Sequence, residues 1–117
     1  MASAAAVGGP EEAAPLFAAL SDATRLRLMT RLSRQGPQSI SALAEGATIS
    51  RQAVTKHLQA LEEAGLAESR RSGRERIFEL RPGRLAVAQR YLDQIARGWD
   101  AALGRLRAYV EEETGEE

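Results

Sequence analysis

Apolar residues recur along this chain at helical spacing in five stretches, with one short alternating stretch between the fourth and the fifth. The sharpest pattern lies between Ser50 and Gly65. At about 100° per residue, Val54, Leu58 and Leu61 gather on one face, with His57 at its border. Gln52, Thr55, Lys56 and Gln59 gather on the opposite face, and Arg51 lies beside them at the N-terminal end. Ser50 is placed to cap this helix, and Gly65 to close it in a left-handed conformation.

The preceding segments follow the same logic. Glu11 to Leu20 reads as a short helix with Leu16, Phe17 and Leu20 on one side. Ser21 or Asp22 can cap the next helix, whose apolar positions Leu26, Leu28, Met29 and Leu32 run to Arg34 before Gly36 and Pro37 stop it. Ser39 is an N-cap for Ile40 to Glu45, with Leu43 and Ala44 inward, and Gly46 ends that helix. Two helices joined by Gly46-Ala47-Thr48-Ile49 make a helix-turn-helix.

After Gly65, Leu66 to Arg71 and Arg76 to Leu80 flank Ser72-Gly73-Arg74-Glu75, which reads as a β-hairpin. Arg70, Arg71, Arg74, Arg76 and Arg81 lie on or around it. A helix-turn-helix followed by a basic hairpin is a winged helix. Pro82 and Gly83 then punctuate, and a long helix starts near Arg84. Its residues Leu85, Ala88, Leu92, Ile95, Trp99, Ala102, Leu103, Leu106 and Val110 fall within roughly a 100° arc. About 28 helical residues would span ~42 Å, whereas a compact domain of this size has a radius of gyration near ~13 Å. A second subunit is the simplest cover for such a stripe. The expected interface is Leu16, Phe17, Leu20, Leu92, Ile95, Trp99, Leu103 and Leu106. The competing expectation is that the helix folds back on its own domain.

The fold class is therefore mainly α with a small β-hairpin wing: a winged helix-turn-helix with a long C-terminal dimerisation helix. The expected organisation is a disordered lead over 1–10, a winged-helix domain over 11–113 and an acidic tail over 114–117.

Charge decides what the outer face of helix 50–64 is for. The chain of 117 residues carries 16 basic and 16 acidic residues, a net charge of zero, which alone argues against a nucleic-acid partner. Yet Glu11, Glu12, Glu111, Glu112, Glu113, Glu116 and Glu117 lie at the two ends, and without them nine acidic residues face 16 basic ones. Charges interact over about 8–10 Å at physiological salt, so a basic face acts locally. The outer helix face bears cations and amides and no carboxylate before Glu62. Amides pair with adenine, Lys or Arg with guanine or phosphate, and Thr with either. Ser50, Arg51, Gln52, Thr55, Lys56 and Gln59, with Arg74 and Arg76 of the wing (66–80), are the expected DNA contacts. Ser39 and Ser41 can also donate to phosphates.

Other chemistry finds little footing. Without cysteine there are no disulfides or thiolate metal sites, and one histidine cannot build a His-rich zinc site within one chain. His57 has no evident orienting carboxylate, so no nucleophile–base pair is found and no enzymatic activity is expected. Arg25 and Arg27 are expected to pair with carboxylates. Trp99 reads as an anchor of the dimer core, or less readily as lining for a small-ligand cavity. No cofactor is expected. No apolar run approaches the roughly 20 residues that span a bilayer, and MASAAAVGGP lacks the basic start of a secretion signal. A cytoplasmic protein without a membrane partner is expected.

The stretches LFAALSDATRLRLMTRL and SISALAEGATISRQAVTKHLQALEEAGLAESRRSGRERIFEL resemble an ArsR/SmtB-type winged helix-turn-helix transcriptional repressor. The likeness rests on Asp22 to Arg27, Leu43-Ala44, Val54 to Leu58, Leu61, Ala64-Gly65-Leu66, Gly73-Arg74, Phe78 and Leu80. It covers about residues 13 to 110. It implies a symmetric homodimer whose recognition helices enter adjacent major grooves of a double-stranded operator, an imperfect inverted repeat with half-sites ~34–36 Å apart. Metal-sensing members carry a cysteine-bearing box before the turn, or His and carboxylate pairs on the last helix. Here the first reads Ile40-Ser41-Ala42-Leu43-Ala44-Glu45, and Asp93 and Asp100 lack imidazole partners. The resemblance thus implies the branch lacking metal ligands, with a small-molecule effector of unknown identity or none. The alternative from another class is a winged-helix protein–protein interaction module without sequence-specific DNA binding.

Overall fold

The computed structural model describes residues 9–115; most of the expected 1–10 lead, and the end of the expected acidic tail, lie outside the described residues. The elements are α1 (Pro10–Leu20), α2 (Ala23–Gln35), β1 (Gln38–Ser39), α3 (Ile40–Glu45), α4 (Arg51–Glu63), β2 (Ala67–Ser72), β3 (Glu75–Leu80) and α5 (Pro82–Gly115). They form a winged helix-turn-helix with a long C-terminal helix.

Side-chain caps set the helix starts. Asp22 accepts the Arg25 amide at 3.1 Å, Ser39 the Ala42 amide at 3.0 Å and Ser50 the Ala53 amide at 3.1 Å. Each satisfies a backbone donor that the first helical turn leaves open. The sheet is antiparallel in the order β1-β3-β2. The hairpin pairs Ala67 with Leu80 through Ser72 with Glu75, and β1 adds Gln38 opposite Phe78 and Ser39 opposite Ile77. This third strand was not expected from the sequence, because two residues are too few to display an alternating pattern.

The core is built where α2, α3 and α4 meet the inner face of the sheet, with α1 packed between α2 and the start of α5. Leu16, Leu43, Val54, Leu58, Leu61, Leu66 and Phe78 are its fully buried side chains. Two expectations are corrected here. Leu16 was placed at a subunit interface, but it is 0 % exposed within the single chain and so offers no surface to a partner. Leu26 was read as inward, but it is 47 % exposed, and α2 buries Leu28, Met29 and Leu32 instead.

The helix α5 begins two residues earlier than the sequence suggested and runs for 34 residues, ~51 Å at 1.5 Å per residue. Its first turns belong to the domain. Val87 and Ala88 are buried, Arg84 donates to Glu12 at 2.9 Å, and the Tyr91 ring sits 6.3 Å from that of Phe17 at a tilt of 53°. Phe17 and Leu20 pack against the core, half-buried. Beyond Tyr91, Leu92, Ile95, Trp99, Leu103, Leu106 and Val110 are exposed among the described residues, Trp99 by 65 %. The radius of gyration of 20.2 Å, against ~13 Å for a compact chain of this order, expresses the same projection. The helix does not fold back on its own domain.

Candidate nucleic-acid interface

The presentation of α4 depends on contacts at both of its ends. At the C-terminal end the Leu66 amide donates to the Leu61 carbonyl and the Gly65 amide to the Glu62 carbonyl, both at 2.9 Å. This is a Schellman closure, and Gly65 takes the positive φ of 79° that it requires. A Cβ at this position would also meet the Arg84 Cγ at 3.0 Å. The inner face buries Val54, Leu58 and Leu61, so the outer face follows by geometry. Gln52, Lys56 and Gln59 are exposed there with Arg51 and Ser50; Thr55 is half-buried and donates its hydroxyl to the Arg51 carbonyl at 3.0 Å.

Two arginines hold the helices that carry α4, and neither does so through a carboxylate. Arg25, expected to pair with an acidic residue, donates instead to the Ala19 and Ala18 carbonyls at the end of α1 and lies 3.4 Å from the His57 Nδ1. A guanidinium only donates, so Nδ1 accepts and the proton of a neutral ring sits on Nε2. Arg27 donates to the Thr24 hydroxyl. Arg31, which no pattern in the sequence marks, donates to the Leu43 and Ala42 carbonyls at 2.8 and 3.1 Å, satisfying the C-terminal end of α3. The Asp22 carboxyl is held below the usual carboxylate range, chiefly by the Arg25 amide, with desolvation acting the other way.

The wing sorts its arginines by face. Its tip is the two-residue turn Gly73-Arg74, with φ of 64° at Gly73. Ser69 and Arg71 share a sheet face with Phe78 and Arg76, because Ser69 pairs with Phe78 and Arg71 with Arg76. That is the face turned to α4: Phe78 is buried, and the Ser69 hydroxyl donates to Glu62 at 2.8 Å. On the other face Arg70 donates to Glu79 at 2.9 Å, and near the base Arg81 lies 3.9 Å from Glu68. Arg71, Arg74, Arg76 and Lys56 make no ion pair among the described residues. Arg76 donates to the Ser69 hydroxyl at 2.8 Å. The neutralised arginines thus face away from α4, while the unneutralised ones lie toward it or at the tip. Arg70 and Arg71 alternate faces along β2, so only one of them is expected to point at DNA; counted from buried Ala67, Arg71 is the one on the face toward α4.

At the N-terminal end of α4, Arg51 donates to the Ser41 hydroxyl at 2.7 Å, and that hydroxyl donates to Glu75 at 3.1 Å. The structure therefore brings Arg51, Ser41 and the base of the wing turn together, and Ser50 is engaged in capping. Among the described residues, no three or more His, Cys, Asp or Glu cluster in a way that could hold a metal ion, and no helix is long and apolar enough to cross a membrane.

Comparison with known proteins extends this picture. A helix-turn-helix domain family matches residues 20–70, from the end of α1 into β2. The HTH-type transcriptional regulator Rv2034 of Mycobacterium tuberculosis is 36% identical over 95 residues, spanning 81% of this chain and 85% of that protein. The ArsR-like transcriptional regulator from Rhodococcus sp. RHA1 superposes with a TM-score of 0.74 at 42% identity, covering 87% of this chain and 95% of its own. The chain belongs to the ArsR family of winged helix-turn-helix transcriptional regulators. A further neighbour, a 100-residue fragment of a Mycobacterium bovis protein described as a possible ArsR-family regulator, is a homodimeric winged helix-turn-helix DNA-binding domain. It superposes with a TM-score of 0.59 at 28% identity, over 75% of this chain and 80% of that one. As an ArsR-family regulator, the chain is related to proteins named for transcriptional control and not for catalysis.

Proposed function

We propose that this ArsR-family regulator is a homodimeric repressor that binds an inverted-repeat operator through α4 and the wing, without sensing metal at the family's usual sites. The observation that carries this reading is an exposed set of Gln52, Lys56 and Gln59 on α4 and Arg71, Arg74 and Arg76 on the wing, with Thr55 half-buried beside the first three. Its cations lack carboxylate partners on the side where α4 and the hairpin meet. A protein-docking wing has no need for this arrangement. Amides and one Thr on the helix serve base edges, while guanidiniums on the hairpin serve phosphates. The exposed stripe from Leu92 to Leu106 supports a second copy as its occupant, since an exposed apolar face of this length calls for a partner. The homodimeric M. bovis neighbour supports the same arrangement.

The test is fluorescence anisotropy with the duplex upstream of the protein's own gene and a scrambled duplex, each at 50 and 200 mM salt. A dimer touching about six to ten phosphates loses about 10³–10⁵ in affinity over that range. Preference for the native duplex of at least ~10³ marks specific recognition. Equal weak binding to both with a flat salt response rejects the reading in favour of a protein-docking module.

A further inference from the structure

The Arg51–Ser41–Glu75 chain joins α4, α3 and β3 through side chains. Ser41 uses both capacities of its hydroxyl. The oxygen accepts from Arg51 Nη1 at 2.7 Å, and the hydrogen goes to Glu75 Oε1 at 3.1 Å. Arg51 opens α4, Ser41 lies in the first turn of α3, and Glu75 opens β3 directly after the Gly73-Arg74 turn. The ladder from β1 to β3 ends at Ser39 opposite Ile77. Toward the tip, β3 is paired only with β2, and the Ser41–Glu75 bond is the next tie to the helical body among the described residues.

A carboxylate beside a phosphate-binding surface ordinarily weakens binding by repulsion, so Glu75 calls for an explanation. We infer that Ser41 and Glu75 are positioning residues. They hold the Arg51 guanidinium at the mouth of α4 and fix the wing tip, so that Arg51 and Arg74 meet the DNA backbone at a set separation. This rests on the DNA-binding reading above. The bond to Ser41 leaves the other N–H donors of Arg51 available, at a helix N-terminus whose own amides favour an anion. The charge of Glu75 is the cost of the tie, and the Arg51 cation nearby offsets it.

The sign of one substitution separates this from plain electrostatics. Removing a repelling carboxylate strengthens DNA binding, whereas cutting a tether weakens it. Glu75→Ala is expected to bind the operator duplex about tenfold more weakly, the loss of one charge-assisted hydrogen bond. Glu75→Gln keeps the acceptor and drops the charge, so it should bind as tightly as wild type or tighter. Ser41→Ala should weaken binding as Glu75→Ala does, and Ser41→Thr, which restores the hydroxyl, should recover it. Tighter binding by Glu75→Ala overturns the inference. A second readout needs no DNA: ¹⁵N relaxation of the Gly73 and Arg74 amides in the free full-length protein. Order parameters near ~0.85 in wild type and Ser41→Thr should fall below ~0.6 in Ser41→Ala. Unchanged relaxation in Ser41→Ala overturns the tether. If wild type binds no duplex, the DNA-binding reading fails by itself, and the relaxation data still decide the tether.

Discussion

Arg71 and Arg76 stand directly opposite each other across the hairpin, two guanidiniums with no carboxylate paired to either among the described residues. Like charges in that position destabilise a sheet by about 0.2–1 kcal/mol. The phosphates of the proposed DNA complex would relieve that repulsion. Arg71→Thr should therefore raise the thermal midpoint of the free protein slightly while weakening duplex binding and lowering the salt slope by about 1. Calorimetry and anisotropy on the same preparation check both signs.

The two kinds of contact on α4 and the wing should separate in mutants. Lys56→Ala and Arg74→Ala are expected to weaken binding to every duplex alike, each reducing the salt slope by about 1. Gln52→Ala and Gln59→Ala should instead relax preference at one half-site position by about 1–3 kcal/mol. A panel of single-base operator variants measured by anisotropy makes the distinction.

Two substitutions probe how α4 is held. Gly65→Ala forces a side chain into a φ of 79° and against Arg84, which should cost at least about 1–2 kcal/mol. Phe78→Ala empties a fully buried site and should cost about 3–5 kcal/mol. Urea unfolding monitored by circular dichroism gives both values.

Trp99 is the single tryptophan and is 65 % exposed in one chain. In a dimer joined along α5 its emission should lie to the blue and move to the red on dilution. Trp99→Asp should shift the sedimentation coefficient to that of a monomer. Emission and sedimentation that do not change with concentration or with this substitution count against α5 as the interface.

Acid should act at the start of α2. The Asp22 pKa is lowered in the folded chain, chiefly by the Arg25 amide, so its contribution is complete above the unfolded-state value. It is lost as pH falls through the lowered folded-state value. The stability gap between wild type and Asp22→Ala should thus be full at neutral pH and close below the usual carboxylate range, as urea midpoints across pH will record.

Much of this was legible in the residues themselves. The outer face of α4 follows from three buried apolar positions and a serine cap, because a helix leaves no freedom in which side chains oppose them. The hairpin followed from Gly73, and the uncovered length of α5 from the reach of its apolar arc. What stayed hidden depends on which neighbour arrives. Leu16 and Leu26 carry the same side chain on adjacent helices, yet only the packed fold shows that the first is inside and the second is not. Arg25 and Arg31 bind backbone carbonyls, which every residue has, so no complementary partner marks them in the sequence. The Ser41–Glu75 bond spans 34 positions and depends on a two-residue strand that has no pattern of its own.

One residue, Arg81, separates the last strand of the wing from α5, and its amide is bonded to the Leu66 carbonyl at 2.9 Å. Pro82 follows with its φ confined by the ring. The joint is therefore stiff, and the hairpin inherits whatever tilt the long helix adopts. Over ~51 Å of lever, a few degrees of crossing angle at the far end become a displacement of several ångströms at the arginine tip. In the proposed complex, the reach of the wing is thus set by the helix that joins the two copies.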